Sequence, residues 1–423
     1  MITKRFAGLF VGVAIVAAAC GPSGGTTAPT TGATPGPADT GMASEAPMSL
    51  SGDITLWHSY ASGGGETAAF NEALDAVRAA NPELNVTVEE QPFDQLFNKW
   101  RTEVAAGGGA DMFIAPNDSL GQDAREGSLL NLDPWLTDNP ALDGFLPVSI
   151  DGSKVDIDGT VSFYMVPESL KAVALWYDAT DIATPPTTSD ELLAAVTDGS
   201  VKLGVNQGVY HQFGWTGAFG GQLLNDDGSC AAADGGFAEA FGYLKSLKDA
   251  GAVFNVDGGA LATQFQTGEI NAIIDGPWQT ANFRAAYETL EKELGVTTIP
   301  TGPAGAANPF TGTDGWYINP NLDDTQAELA VGTALALISP ESLQVMTDDA
   351  GHVPANPSIT ISDPITQGFA DAAEAGLPRP QGPTFNNWWG PFGNALNEVV
   401  DTGADPATAI QNACDLMDEA SGL

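Results

Sequence analysis

Apolar side chains fill most of the stretch from Phe6 to Ala19, which follows Lys4 and Arg5 and ends in Ala17-Ala18-Ala19-Cys20-Gly21. A positive start, a short apolar core and small residues before a cut are the parts of a secretory signal, and the run is too short to span a bilayer stably. The pattern then changes. Gly21 to about Pro47 is built from Gly, Pro, Thr, Ser and Ala with almost nothing apolar to bury, so it is expected to be a disordered tether. Its Gly21-Pro22-Ser23-Gly24-Gly25 matches a hydrolase nucleophile elbow by letter only, because no strand can precede it and no helix can follow.

From Ile54 onward, period-two and period-3.6 segments alternate. Ile54 to Trp57 reads as a buried strand, followed by Gly63-Gly64-Gly65 and a helix from Glu66 to Ala80 stopped by Asn81-Pro82. Leu84 to Glu90 is a second strand, Phe93 to Ala106 a helix closed by glycines, and Met112 to Ala115 a third strand. This βαβαβ order implies a parallel sheet with helices on its faces. The pattern restarts with strands at Val161 to Val166 and Ala172 to Tyr177. Thr188 and Glu191 form a capping box that opens a helix at Leu192 to Val196. Helices at Phe237 to Asp249 and Ala260 to Thr267 precede a strand at Ala272 to Asp275. After Gly315-Trp316-Tyr317-Ile318 come helices near Gln326 to Leu337 and Asp363 to Ala375, then two more. Two α/β units with trailing helices suit two lobes.

The body beyond about Ser51 is long enough for a large core and more than one domain. Lys and Arg number 14 against 54 Asp and Glu, a net charge of -40. Nucleic acid and anionic lipid surfaces are then poor partners, and the acid reads as a solubilising coat or an adaptation to salt. After Cys20 only Cys230 and Cys414 remain, and two leftover thiols in an oxidising compartment are expected to pair. His58, His211 and His352 are widely scattered, which leaves no zinc motif. Gly63-x-Gly65-x-x-Ala68 approaches a dinucleotide fingerprint, but its glycines do not directly follow the strand. They are expected instead to let a loop and a helix N-terminus approach a ligand.

The N-terminus resembles a bacterial lipoprotein signal, in which Cys20 would become the first mature residue and carry lipid. Ala17 departs from that pattern, which more often has Leu there. The competing reading is a soluble secreted protein cut near Ala19. The body resembles a bacterial extracellular solute-binding protein of the maltose-binding type. The matching pieces are Gly52-Asp53-Ile54-Thr55-Leu56-Trp57, Ala110-Asp111-Met112-Phe113 with Asn117-Asp118, and Pro167-Glu168-Ser169-Leu170-Lys171 running to Trp176-Tyr177. They continue with Pro185-Pro186-Thr187-Thr188, Phe265-Gln266-Thr267-Gly268-Glu269-Ile270 and Asp275-Gly276-Pro277-Trp278.

The resemblance implies an α/β fold of two lobes, each a mixed sheet flanked by helices, closing as a clamp on a solute and serving an ABC importer. One lobe would hold residues 51–167 and 311–361, the other 168–310 and 362–423, with crossovers near Glu168, Phe310 and Ser362. The signal and acylated Cys20 would occupy 1–20 and the linker 21–50. Implied are a monomer, anchored outside the cytoplasm by its lipid, that meets permease subunits and needs no cofactor or metal. Both remaining cysteines fall in the second lobe.

A sugar has apolar C–H faces and a rim of hydroxyls, so its site needs flat aromatic platforms edged by polar groups. Trp278 follows Gly276-Pro277 where the resemblance places a stacking Trp, and one of Trp388 and Trp389 matches a second platform. Tyr210, His211, Phe213 and Trp215 fall in a loop that meets the ligand in the relatives. Asp118 aligns with a carboxylate that accepts sugar hydroxyls. His58 and Tyr60 follow the first strand at the cleft mouth, and Asp314 and Trp316 follow a crossover. Lys171 stands where the maltose-binding pattern has an acid, which puts maltose itself in question. It could donate to a sugar hydroxyl, pair with Asp118 or Asp314, or be solvated. Two other functions stay open: a secreted carbohydrate hydrolase using two of Asp118, Glu168 and Asp314, and a clamp of the same fold for a non-sugar solute.

Overall fold

The computed structural model describes residues 49–60 and 64–423. The signal, Cys20, nearly all of the tether, and Gly63 lie outside the described residues. Strand β1 (Gly52–His58) is the centre of the first βαβαβ unit, with β2 (Leu84–Glu90) and β3 (Met112–Pro116) parallel to it on either side. The helix Gly65–Ala80 buries Ala69, Phe70, Ala73, Leu74 and Val77, an apolar stripe at helical spacing. The helix Phe93–Ala105 buries Leu96, Trp100 and Val104, one residue per turn. The stripes fall on opposite faces of the sheet: Ile54 and Leu56 pack with Phe70, while Trp57 packs with Trp100.

The stretch expected as one strand from Val161 to Val166 is broken in two. β4 (Lys154–Ile157) and β5 (Thr160–Phe163) form a hairpin, and the chain then turns into β6 (Val166–Lys171). Asp158 and Gly159 at the hairpin tip both have positive φ, 54° and 82°. That backbone matches the twist of a two-residue hairpin turn. Apolar residues on both sides of the break hide it from a pattern reading.

β7 (Ala174–Asp178) opens the second sheet with β8 (Leu203–Asn206), β9 (Val253–Asn255), β10 (Ala272–Asp275) and β11 (Leu294–Thr297), in the order β11-β7-β10-β8-β9. The chain then returns to the first sheet. β12 (Phe310–Ile318), buried along its whole length, lies antiparallel between β3 and β6. β13 (Val353–Pro354) adds to β6, and β14 (Leu377–Pro378) runs parallel to the start of β12. The result is two lobes, each with its own mixed sheet. The crossing expected near Glu168 falls beyond Lys171, because β6 stays hydrogen-bonded to β12 through that residue.

The capping box at Thr188 and Glu191 is present and starts the helix Ser189–Asp198. By contrast, Tyr210 to Trp215, expected as a loop, belongs to the helix Val209–Ala218. The loop was what the resemblance implied; in the structure the segment is helical and its glycines serve packing. A Cβ at Gly214 would crowd Ile299 and Pro309, and one at Gly217 would collide with the Asn308 side chain. The connection into β12 therefore lies directly on this helix. No single helix among the described residues is long and apolar enough to cross a membrane.

The helices Phe237–Ala250, Trp389–Asn397 and Pro406–Ser421 pack together on the second lobe. Cys230 and Cys414 are joined there by a disulfide spanning 184 positions of sequence. Closing so long a loop constrains the unfolded chain by at most about 5 kcal/mol in the entropy model. Thiol titration of the unfolded, unreduced mature protein is expected to find neither cysteine free, and Cys414→Ser should lower the melting temperature. Two titratable thiols would reject the bond.

Candidate functional site

A cavity of about 630 Å³ opens between the carboxyl ends of β1 and β3 on one side and the second lobe on the other. Its size is within the ordinary range for a small-molecule site, and strand carboxyl ends are where α/β folds present ligands. The first lobe contributes Tyr60 from the loop after β1, Glu66 from the first turn of the next helix, and Asp118 from the loop after β3. It also contributes Lys171 at the end of β6 and Asp314 in β12. The second lobe contributes Tyr210 and His211 from the first turn of their helix, Trp278 and Gln279 after β10, and Trp389. One wall is therefore rich in charge and the other in aromatic rings.

Eight of the expected residues line this cavity: Tyr60, Asp118, Lys171, Tyr210, His211, Trp278, Asp314 and Trp389. Four do not. His58 is buried behind Tyr60, accepts a hydrogen bond from the Tyr60 amide at 3.1 Å and stacks on its ring. Burial lowers its pKa, so it supports Tyr60 as a neutral imidazole. Phe213 stacks on Phe310 with centroids 3.6 Å apart, inside the second-lobe core. Trp388 packs in the same core against Phe213, Phe310 and Phe392, and only its neighbour Trp389 faces outward. Trp316 packs on Phe70 in the first-lobe core. The register of β12 against β6 shifts between Asp314 and Gly315. The extra residue of this bulge is Glu168 on β6, while β12 keeps an unbroken register with β3, so Asp314 sits at the cavity end of β12 and Trp316, two residues on, in the core.

Trp278 reaches the cavity because Gly276 has no Cβ; one there would collide with the indole. The ring lies 6.3 Å from Tyr210 and edge-on to His211 at 6.1 Å. His211 Nε2 is 3.6 Å from Asp275 Oδ1.

Beneath the polar wall lies a buried charge network. Lys171 Nζ is 2.6 Å from Asp314 Oδ2 and 3.9 Å from Glu66 Oε1. Of the alternatives open to Lys171, the structure shows pairing with Asp314, not with Asp118. Burial pulls the Lys171 pKa down, but the carboxylates of Asp314 and Glu66 outweigh it and raise the pKa above the ordinary value. His352, just before β13, meets Glu168 through Nδ1 at 3.1 Å and Glu66 through Nε2 at 3.1 Å. Burial opposes its charge, yet the two carboxylates lift its pKa from 6.5 to about 10. Burial also pushes Glu66 and Glu168 upward, and their cationic partners overcome it and hold both below the ordinary carboxylate value.

Arg379 completes the site. Its guanidinium pairs with Asp118 and lies 5.2 Å from the Tyr210 ring and 5.9 Å from Trp389. It is only 5% exposed, and that burial draws its pKa down to about 9. The segment carrying it is fastened to the loop after β3 and to the short helix Leu120–Arg125 that follows: Gln381 accepts from the Gly121 amide, donates to the Asn117 carbonyl and receives Arg125 on its own carbonyl. The hydroxyl of Tyr60, Oδ1 of Asp314 and Nε of Arg379 are buried with no hydrogen-bond partner among the described residues. Leaving such atoms unpaired is costly, and a ligand rich in hydroxyls supplies both donors and acceptors. The sequence reading missed Glu66, Phe93, Gln279, Asn282 and Arg379 as lining residues. The available signal for Arg379 was its placement between Pro378 and Pro380 in a chain with so few cations.

Residues 67–373 match the model of the family described as bacterial extracellular solute-binding protein. The chain is 24% identical over 371 residues to the maltotriose-binding protein of Pyrococcus abyssi, covering 83% of this chain and 78% of that one. It is 24% identical over 373 residues to a maltooligosaccharide ABC transporter solute-binding lipoprotein of Streptococcus pneumoniae strain R6, covering 82% and 85%. Among solved structures, the maltotriose binding protein of Thermus thermophilus, bound with maltotriose, superposes with a TM-score of 0.75 at 24% identity, over 87% of this chain and all of that one. The GacH receptor of Streptomyces glaucescens superposes with 0.78 at 20% identity, over 88% and 98%. These superpositions show the two-lobed fold.

The buried network makes stability depend on pH. The His352 pKa is raised in the folded chain, so its contribution is fully present below about pH 6.5 and is lost as pH climbs through about 10. His352→Ala is expected to cost ~3–5 kcal/mol near neutral pH, because it leaves Glu168 buried without its cation. Urea unfolding at several pH values from 6 to 10 should show the wild type losing its margin over the variant as pH rises. A margin that stays constant would rule out the charged imidazole.

Proposed function

The chain belongs to the bacterial extracellular solute-binding proteins, and we propose that it binds a neutral oligosaccharide in the cavity between its lobes and delivers it to the permease of an ABC importer. The observation that carries this reading is the pairing of an aromatic wall, Tyr210, Trp278 and Trp389, with a facing wall of carboxylates and cations. Flat rings cover the C–H faces of a sugar, and the polar wall meets its hydroxyls. The names of the relatives support the ligand class: a maltotriose-binding protein, a maltooligosaccharide transporter component and a galactooligosaccharide-binding protein of Bacillus subtilis. On this reading one lobe comprises residues 51–171 and 311–361 and the other 172–310 and 362–423, the first boundary following the end of β6.

Binding proceeds without turnover. Glycoside hydrolysis needs one protonated and one ionised carboxyl flanking the bond. Here Asp118 is held by Arg379, Asp314 by Lys171, and Glu168 by His352 outside the cavity lining. New reducing ends on incubation with oligosaccharides would overturn this part of the reading.

Calorimetry against maltooligosaccharides and galactooligosaccharides, chosen by a thermal-shift screen, tests the site. Trp278→Ala and Trp389→Ala are each expected to cost on the order of 1–3 kcal/mol, a tenfold to hundredfold loss of affinity, through lost apolar burial. Small-angle scattering should show the protein contracting with saturating sugar. Wild-type affinity in both variants, or unchanged dimensions, would reject the platforms or the clamp.

The proposed anchor is lipid on Cys20, with residues 21–50 as a spacer that lets a monomeric body stand off the membrane. The lipoprotein name of the pneumococcal relative supports it. In a bacterium that processes lipoproteins, the chain is expected to partition into detergent and Cys20→Ala to become soluble. A soluble wild type with an unmodified mature terminus would sink the anchor.

A further inference from the structure

Phe93 is 49% exposed, yet it is held in a fixed place. It is the first residue of the helix Phe93–Ala105, entered from Pro92, whose ring restricts the backbone there. One turn later Phe97 meets it edge-on at 6.1 Å. Phe97 in turn packs edge-on against Phe113 at 6.0 Å and Tyr317 at 6.5 Å, which stack on each other in the first-lobe core. A row of aromatic rings thus runs from the core to the cavity, and Phe93 is its exposed end.

A lone exposed apolar side chain on an outer surface needs no explanation. Phe93 differs in its surroundings. The first-lobe wall is otherwise charged around Glu66, Asp118, Lys171 and Asp314, and its apolar portion is Phe93 together with Ile114, Ala115 and Pro116 at the end of β3. Ala115 is small and Pro116 flat, so this portion offers a shallow seat bordered by a phenyl face. Of the other large rings at the cavity, Tyr210, Trp278 and Trp389 stand on the second lobe, and Tyr60 on the first lobe is buried and leaves little of its ring face open.

We infer that Phe93 with Ala115 and Pro116 forms a second apolar subsite, contributed by the first lobe, that takes an additional sugar ring and makes affinity depend on oligosaccharide length. The inference rests on the carbohydrate reading and goes beyond it by naming a residue that selects for length. A disaccharide seated on the second-lobe platforms would leave Phe93 uncovered, whereas a longer chain covers it and removes its apolar face from water.

The test is calorimetry on the mature wild type, Phe93→Ala and Phe93→Tyr, with di-, tri- and tetrasaccharides of the maltose and galactose series. Phe93→Ala is expected to bind the longest probe about tenfold more weakly while the shortest bound probe stays within about twofold, and Phe93→Tyr to keep the length dependence. Thermal melting of Phe93→Ala should match the wild type, since the ring is not in the core. Equal losses at every length, or no loss at any, would overturn the subsite while leaving the proposed function standing. A wild type that binds no probe in either series would overturn both.

Discussion

Three carboxylates and two cations share one dry region under the cleft, and the surrounding structure is arranged so that each meets an opposite charge. Glu66, Glu168 and Asp314 are paired with Lys171 and His352. Taking any one of these ions out of water alone is prohibitive, so the group is stable only as a set with fixed geometry. Its members come from four places in sequence: the first turn of the helix Gly65–Ala80, β6, β12 and the approach to β13. The antiparallel pairing of β12 and β13 with β6 is what brings them together. Hydrophobic patterning alone would accept other registers of these strands; the charges accept one.

That constraint explains which parts of the molecule could be read from sequence. The βαβαβ opening was legible because β3 is a buried apolar run, β2 alternates apolar and polar residues, and its helices carry clean apolar stripes. The helix Val209–Ala218 was not, because its placement as a loop came from the resemblance and not from a pattern in its own residues. In the site, Trp278 was placed by the resemblance, and Gly276 makes the room its indole needs. The choice between Trp388 and Trp389, the fate of Phe213 and the burial of Trp316 depend on packing between segments far apart in sequence. The same holds for Lys171, whose partner sits in a strand more than a hundred residues away.

Arg379 links the two walls of the cavity. It lies over second-lobe rings while its charge meets Asp118 of the first lobe, and Gln381 beside it is hydrogen-bonded to the same loop. A carboxylate held by a guanidinium keeps accepting capacity on its remaining lone pairs. Asp118 is therefore oriented before any ligand arrives, which lowers the ordering cost of binding.

Pairing also bears on what the cleft rejects. A charged ligand entering here would have to give up its hydration and displace a partner from Asp118, Asp314 or Lys171, leaving a charge uncompensated in a poorly solvated place. On the proposed reading a polyol displaces nothing: its hydroxyls would meet the Tyr60 hydroxyl, Asp314 Oδ1 and Arg379 Nε, which have no partner among the described residues, while its ring faces would cover indole. Discrimination of this kind comes from the penalty imposed on the wrong ligand as well as from contacts with the right one. The buried ions thus set the strand register that builds the site, and on the proposed reading their mutual neutralisation is also what makes that site selective for a neutral sugar.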